Sequence, residues 1–394
     1  MSIKLPLTID DIKNKREYDK NQTYGKYMLN CHIGHRKLLC AVLLFLIECQ
    51  KKINLNDCLI LYIGAAPFIS YNVIDGLYPN ISWIVYDKNK FIFNKEYKNI
   101  EIRNKYFNDD EIEKIKYDFK KSNKKYLLYI NDMRLNPDEE SIFKDMIDQQ
   151  LWLLKLDPYA FCIKFKLPYY IENKMNLNYV LPSFIKSEKK KSIYDMLYLD
   201  GKVYLQTYAP KRSLETRLIS FKPYKLVNYN IIDYEQKLSY FNLIIRSKEY
   251  IYKDSKKYLF LNLYDNVNEY YIFKKYNDIN KKFSNMFEMY NFVDNILNKY
   301  FIYNGVNCKL YNFRYSIYII LTSNIEINIK KNNFLNVVKD MEQIIKKINT
   351  VGKTKDKNYY KKFKLNIDLK YITIKNKKLE LKKDYIKEIY DKIK

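Results

Sequence analysis

The chain has 394 residues, 71 basic and 45 acidic, a formal charge of 71 − 45 = +26. That length is ample for a buried core and for more than one domain, and the charge points to a polyanionic partner. With 47% hydrophobic and 16% aromatic residues but only 7 Gly and 9 Pro, disordered-tail, collagen-like and linker-rich designs are excluded. The 42 tyrosines accompany a Lys-, Asn- and Ile-rich composition of the kind AT-rich codons produce, so the basic excess counts for about half its face value as a binding signal. Six cysteines are scattered without a C-x-x-C pair, which predicts neither a zinc cluster nor a disulfide framework. The N-terminus has no signal pattern, and the most apolar run, 38–47, is about ten residues, too short to span a bilayer. A soluble, cytoplasmic protein with no metal and no membrane partner is expected.

Residues 37–51 (KLLCAVLLFLIECQK) read as a buried helix. Strand-like runs follow at 58–63, 82–86, 100–103, 126–130 and 159–165, alternating with helical segments such as 109–119 and 140–156. That alternation predicts an α/β fold with a mostly parallel sheet. Residues 203–207 and 217–221 are too close for a helical crossover and predict an antiparallel pair. The Lys-rich stretch 184–196 reads as an exposed helix or loop, and 234–304 as helical periodicity broken by Tyr-rich strands. Beyond Gly305, 308–322 and 325–330 read as strands, 333–348 as a helix, and 365–374 with 378–381 as a hairpin around Asn376. The expected domains are therefore 1–304 and an appended α+β region, 305–394.

The first strand ends in Tyr62-Ile63-Gly64-Ala65-Ala66-Pro67, and the second ends at Asp87, 23 residues after Gly64. A small-residue strand-to-helix turn lets backbone approach a ligand, and an acid at that offset accepts hydrogen bonds from a ribose diol. The G-x-G-x-x-G cradle for a dinucleotide and the P-loop are both missing, so a nucleoside without phosphates, S-adenosylmethionine, fits better. Four ionisable residues lie at element ends: Lys37, Asp132, Lys164 and Glu215. Charges within apolar stretches are costly unless paired, so two cations and two anions would neutralise one another if they converge. A second ammonium and burial would lower the Lys164 pKa, and a neutral Lys164 could accept a sugar hydroxyl proton.

Lys37, Asp132, Lys164 and Glu215 in that order match the K-D-K-E tetrad of RNA ribose 2′-O-methyltransferases. The words LYIGAAP, INDMR, IKFKLPYY and LQTYAP…LETRLISF resemble the poxvirus cap-specific mRNA nucleoside-2′-O-methyltransferase family, whose members double as the small, regulatory subunit of a viral poly(A) polymerase. The resemblance runs from about Tyr18 to about Asn304. It implies a Rossmann-like methyltransferase fold, Lys164 as general base, and Lys37, Asp132 and Glu215 tuning it. It implies cofactor contacts at His35, Tyr62, Gly64, Phe68, Asp87, Asn89, Phe107 and Asp132, with His35, Phe68 and Asn89 standing where the family has glutamine, glycine and arginine. For the cap it implies Tyr18 and Tyr169 as rings stacking on 7-methylguanine, with Glu235 and the displaced Glu172 reading the base edge. Arg134, Lys166, Ser213 and Arg217 are placed to hold RNA phosphates. The implied partners are capped mRNA and a poly(A) polymerase catalytic subunit. A ribosomal or transfer RNA 2′-O-methyltransferase shares the tetrad, and a non-catalytic RNA-binding subunit of a poly(A) polymerase is the reading from another class.

Overall fold

The computed structural model describes residues 5–19, 34–136, 138–169, 194–209, 213–246, 264–297 and the short strands 302–303, 306–307, 372–375 and 378–381. Two compact units share the chain: Lys4–Lys20 with Gly34–Ser247, and Met1–Ile3 with Asn21–Ile33 and Lys248–Lys394.

The first unit is built on a seven-stranded sheet. Its strands are β1 (Cys58–Ile63), β2 (Ser82–Tyr86), β3 (Ile100–Arg103), β4 (Tyr126–Asn131), β5 (Ala160–Phe165), β7 (Lys202–Leu205) and β8 (Thr216–Phe221), in the order β3-β2-β1-β4-β5-β8-β7. Strands β3 through β5 are parallel, β8 runs antiparallel to β5, and β7 runs antiparallel to β8. This is a Rossmann-like sheet with a terminal antiparallel pair. The order reverses between β1 and β4, and the crevice beyond the carboxyl ends of strands at such a reversal is where open α/β sheets hold ligands.

Helix α1 (Gly34–Gln50) is apolar on every side, and Leu39 through Ile47 are all buried, as such a helix must be. Helix α2 (Tyr71–Leu77) follows the β1 turn. Helix α3 (Asp110–Lys121) carries three acids in its first turn and Lys120 and Lys121 in its last, matching the helix dipole. Helix α4 (Glu139–Leu156) is capped by Asp138, whose side chain accepts the Ser141 N–H at 2.8 Å. Helix α5 (Ile231–Tyr240) is capped in the same way by Asn230.

One expectation is corrected. The stretch 184–196, expected as an exposed helix or loop, lies outside the described residues up to 193, and its last two residues, Asp195 and Met196, instead open a fully buried strand, β6 (Asp195–Leu199), paired antiparallel with β9 (Leu226–Asn230). Its apolar residues are too few to stand out beside the lysine run before it. Residues 170–193 lie outside the described residues.

In the second unit, helices α6 (Tyr264–Asn280) and α7 (Met286–Leu297) pack together, with Phe273 and Tyr290 rings 5.0 Å apart. Two small antiparallel pairs follow, Ile302–Tyr303 with Val306–Asn307 and Ile372–Lys375 with Lys378–Leu381. The second is the hairpin expected around Asn376; the strands and helix expected at 308–322, 325–330 and 333–348 lie outside the described residues. Among the described residues no helix is long and apolar enough to cross a membrane.

Candidate active site

The register explains why the four charged residues meet. Asn131 on β4 stands level with Ile163 on β5, so Asp132, just past the end of β4, comes beside Lys164, which is still within β5. Lys164 pairs across with Arg217 on β8, so both project on one face. Lys164 Nζ donates to the Asp132 carbonyl at 2.7 Å and stands 4.0 Å from its Oδ1. The Tyr62 hydroxyl donates to Asp132 Oδ2 at 2.6 Å, and Arg217 pairs with Oδ1. Lys37, near the start of α1, reaches Glu215 Oε1 at 2.8 Å, while Arg134 reaches Oε2 at 3.4 Å and Arg217 lies 3.8 Å from Oε1.

Two carboxylates therefore face four cations in a site where Asp132 and Glu215 side chains are 4% and 9% exposed. Burial alone would raise both carboxyl pKa values, but neighbouring cations outweigh it. Arg217 and Lys164 hold Asp132 below its ordinary value, and Lys37, Lys164 and Arg217 hold Glu215 far below its own. Lys164 shifts the other way. Burial, with Lys37 and Arg134 adding repulsion against the pull of Glu215 and Asp132, brings its ammonium down to about 8. An amine that is partly neutral near pH 8 can take a proton.

At the β1 turn, Gly64 has φ +71, and a Cβ there would stand 2.5 Å from the Met133 nitrogen and 2.7 Å from the Asp132 carbonyl carbon. The glycine is demanded by the chain's own close approach at the end of β4. Asp87 holds the turn: its Oδ2 accepts the Ala66 N–H at 3.0 Å and its Oδ1 accepts the Asn89 backbone and side-chain N–H groups at 2.9 and 3.0 Å. A carboxylate has about four acceptor positions, so capacity for a hydroxyl remains, and the residues fit the ribose of a nucleoside cofactor. Asn89 itself is exposed and folded back on Asp87, and His35 is half-buried at the start of α1.

Two cofactor candidates are placed differently from expectation. Phe107 is 5% exposed and packs against Tyr86 and Trp152, each 5.0 Å away. Phe68 takes φ +47, a conformation that suits glycine, yet its ring is 1% exposed. It packs on Tyr62 at 4.9 Å, Tyr71 at 5.2 Å and Trp83 at 5.6 Å.

The cap and RNA candidates fall in several different settings. Tyr18 and Tyr169 do come together, but as a touching pair with centroids 4.7 Å apart and planes tilted by 38°. A flat base between two rings needs about 7 Å, twice the ~3.5 Å contact separation, so the pair is closed in this structure. Lys166 is buried, paired with Glu139, and lies 4.7 Å over the Tyr169 ring; it has no ammonium to spare for a phosphate in this arrangement. Arg217 is 2% exposed and clasped by the two carboxylates, a buried counter-ion and not a phosphate ligand. Ser213 Oγ accepts the Glu215 N–H at 3.0 Å and so steadies that acid. Arg134, 29% exposed at its side chain, is the cation of the set that remains at the mouth. Glu235 is buried on α5, and Glu172 lies outside the described residues. Among the described residues no three His, Cys, Asp or Glu side chains gather as a metal site requires.

The family described as poly A polymerase regulatory subunit matches residues 3–316. This chain belongs to that family. Among solved structures it is similar to bluetongue virus VP4, described as a multifunctional RNA-capping production line, at 11% identity and a TM-score of 0.39. The match covers 57% of this chain and 33% of that one, so the chain spans about a third of VP4's length.

In this member of the family the site holds two residues that sequence reasoning missed. Gln206 follows β7, one step past the Leu205–Thr216 pair, and so stands level with Glu215. With its amide turned to suit both neighbours, it donates to Glu215 Oε1 at 2.7 Å and accepts from Arg217 Nε and a terminal guanidinium nitrogen at 2.9 Å each. Extending the hairpin register by one residue would have found it. Gln149 on α4 donates to the Lys164 carbonyl at 2.7 Å, and no spacing in the sequence signals it.

Proposed function

We propose that this chain methylates the ribose 2′-oxygen of the first transcribed nucleotide of capped mRNA, converting cap-0 to cap-1. The single observation that carries the reading is the amine of Lys164, set between Asp132 and Glu215 and brought down to about 8 by burial and cationic neighbours. S-adenosylmethionine, when bound, supplies the methyl group as an electrophilic carbon on sulfur. Neutral Lys164 would take the 2′-hydroxyl proton as that oxygen accepts the methyl group. The Asp132 carbonyl holds Nζ in place beforehand, and Asp132 and Glu215 stabilise the ammonium that results. Arg134 is positioned to meet a phosphate of the incoming strand. Positioning in line and base assistance of about 10²–10⁴-fold supply the rate.

Membership in a regulatory-subunit family supports a partnership with a poly(A) polymerase catalytic subunit as a heterodimer, and a cytoplasmic location is part of the same proposal. The domain division 1–304 and 305–394 belongs to the same proposal, with the second part as an added module. One observation favours a second reading, a non-catalytic cap- or RNA-binding subunit: the buried Phe68 ring in the turn that would face the cofactor. Incubation with labelled methyl donor and cap-0 RNA, followed by digestion to locate the label, separates them. Label on the first ribose 2′-oxygen supports the enzyme; no transfer to any RNA, with cap binding retained, supports the second.

A further inference from the structure

Helix α4 buries an amide on the face it turns to the sheet. Gln149 is 3% exposed, and a buried amide is costly unless its hydrogen bonds are made. Its Nε2 donates to the Lys164 carbonyl at 2.7 Å and to the Tyr198 hydroxyl at 2.9 Å. Tyr198, fully buried on β6, donates a hydrogen bond from its hydroxyl to the Met146 carbonyl at 2.7 Å, so the circuit closes back on α4. The parallel ladder between β4 and β5 ends at Asn131 and Ile163, which leaves Lys164 one residue beyond it. Four residues before Gln149, Asp145 accepts the Leu135 N–H at 3.1 Å, in the loop that also carries Arg134.

We propose that Gln149 is a positioning residue for the Lys164 amine: by holding the backbone at the end of β5, it keeps Nζ against the Asp132 carbonyl and out of water. This deepens the reading above and rests on it. The alternative is that Gln149 merely satisfies a buried polar spot, in which case its loss lowers stability and nothing else. The two differ in what Lys164 feels. An amine released toward solvent recovers its ordinary basicity, so its titration moves to higher pH.

The test is competitive acetylation of all lysines in the full-length chain, read by mass spectrometry across pH 6–11, with neither RNA nor methyl donor present. In the unmodified chain Lys164 is expected to reach half its reactivity near pH 8. Gln149→Leu is expected to move that midpoint up by roughly one unit, a tenfold change in proton affinity, while the exposed Lys13 stays where it was. Tyr198→Phe keeps the bond from Gln149 to Lys164 and is expected to lower the melting temperature without moving the midpoint. A folded Gln149→Leu protein with an unmoved midpoint overturns the proposal. Should that variant not fold, Gln149→Met, of nearly the same length, uncharged and unable to donate, carries the same expectation. In the unmodified chain itself the Gln149 side-chain N–H protons should exchange slowly with solvent, and fast exchange also overturns it. Methyl transfer that survives Lys164→Ala would instead count against the base assignment alone, because labelling reads the amine without catalysis.

Discussion

Replacing Arg217 by methionine removes the cation that joins the two buried carboxylates while keeping an unbranched side chain of similar reach. Arg217 is 2% exposed, pairs with Asp132, lies 3.8 Å from Glu215, and donates two hydrogen bonds from its guanidinium to the Gln206 side-chain oxygen. After the change Glu215 keeps Lys37 at 2.8 Å and Arg134 at 3.4 Å. Asp132 keeps only the Tyr62 hydroxyl and an ammonium 4.0 Å away. Breaking a buried ion pair from one side costs about 3–5 kcal/mol, because the remaining charge stays buried. For a domain of this size that is roughly 6–20 °C in melting temperature. Calorimetry and urea unfolding of the full chain read both quantities. The loss should also depend on pH. Asp132 and Glu215 are held below their unfolded values, so the stability they contribute is present above about pH 4 and is lost as pH falls through their lower folded values. The gap between variant and parent should therefore shrink as the solution is acidified below pH 4. A loss under 1 kcal/mol at pH 7, or a gap that does not change with acid, would refute the description of Arg217 as the buried counter-ion.

Phe68→Gly relieves about 1–2 kcal/mol of left-handed backbone strain but removes a buried ring worth about 3–5 kcal/mol, for a net loss of about 1–4 kcal/mol by urea unfolding. A more stable variant would show that the ring contributes little against Tyr62 and Trp83. Tyr169→Ala should weaken binding of methylated cap by about 0.5–2 kcal/mol more than binding of unmethylated GpppG, because only the methylated base is cationic; equal losses in fluorescence titration would remove the cap assignment.

The sheet was legible because its strands are short apolar runs in a regular alternation with helices, and the pair 203–207 with 217–221 was legible because no helix fits between them. Strand β6 was not, since five buried residues beside a lysine run carry no period of their own. The four charged residues could be named from their order and flanking words, and the register then sets them on one face. What sequence could not supply was which cations stay free. Arg217 and Lys166 read as phosphate ligands until their depth and their carboxylate partners are known. Tyr18 and Tyr169 could be paired by position, but the 4.7 Å between their rings is a property of packing alone. Phe68 likewise announces a missing glycine, while its side chain's destination depends on the tyrosines and tryptophan around it.

The central claim is that Lys164 removes the ribose proton, and a pH series of single-turnover methyl transfer to cap-0 RNA, in the parent and in Lys164→Ala, tests it most directly. Below the folded value of about 8 the amine is protonated, so the parent's rate should rise about tenfold per pH unit from pH 6 to 7 and level off above 8. Lys164→Ala should lose about two to four orders of magnitude and the rising limb with them, while retaining affinity for the methyl donor. A variant that transfers methyl groups at the parent's rate, or that keeps the same rise toward pH 8, would contradict the account.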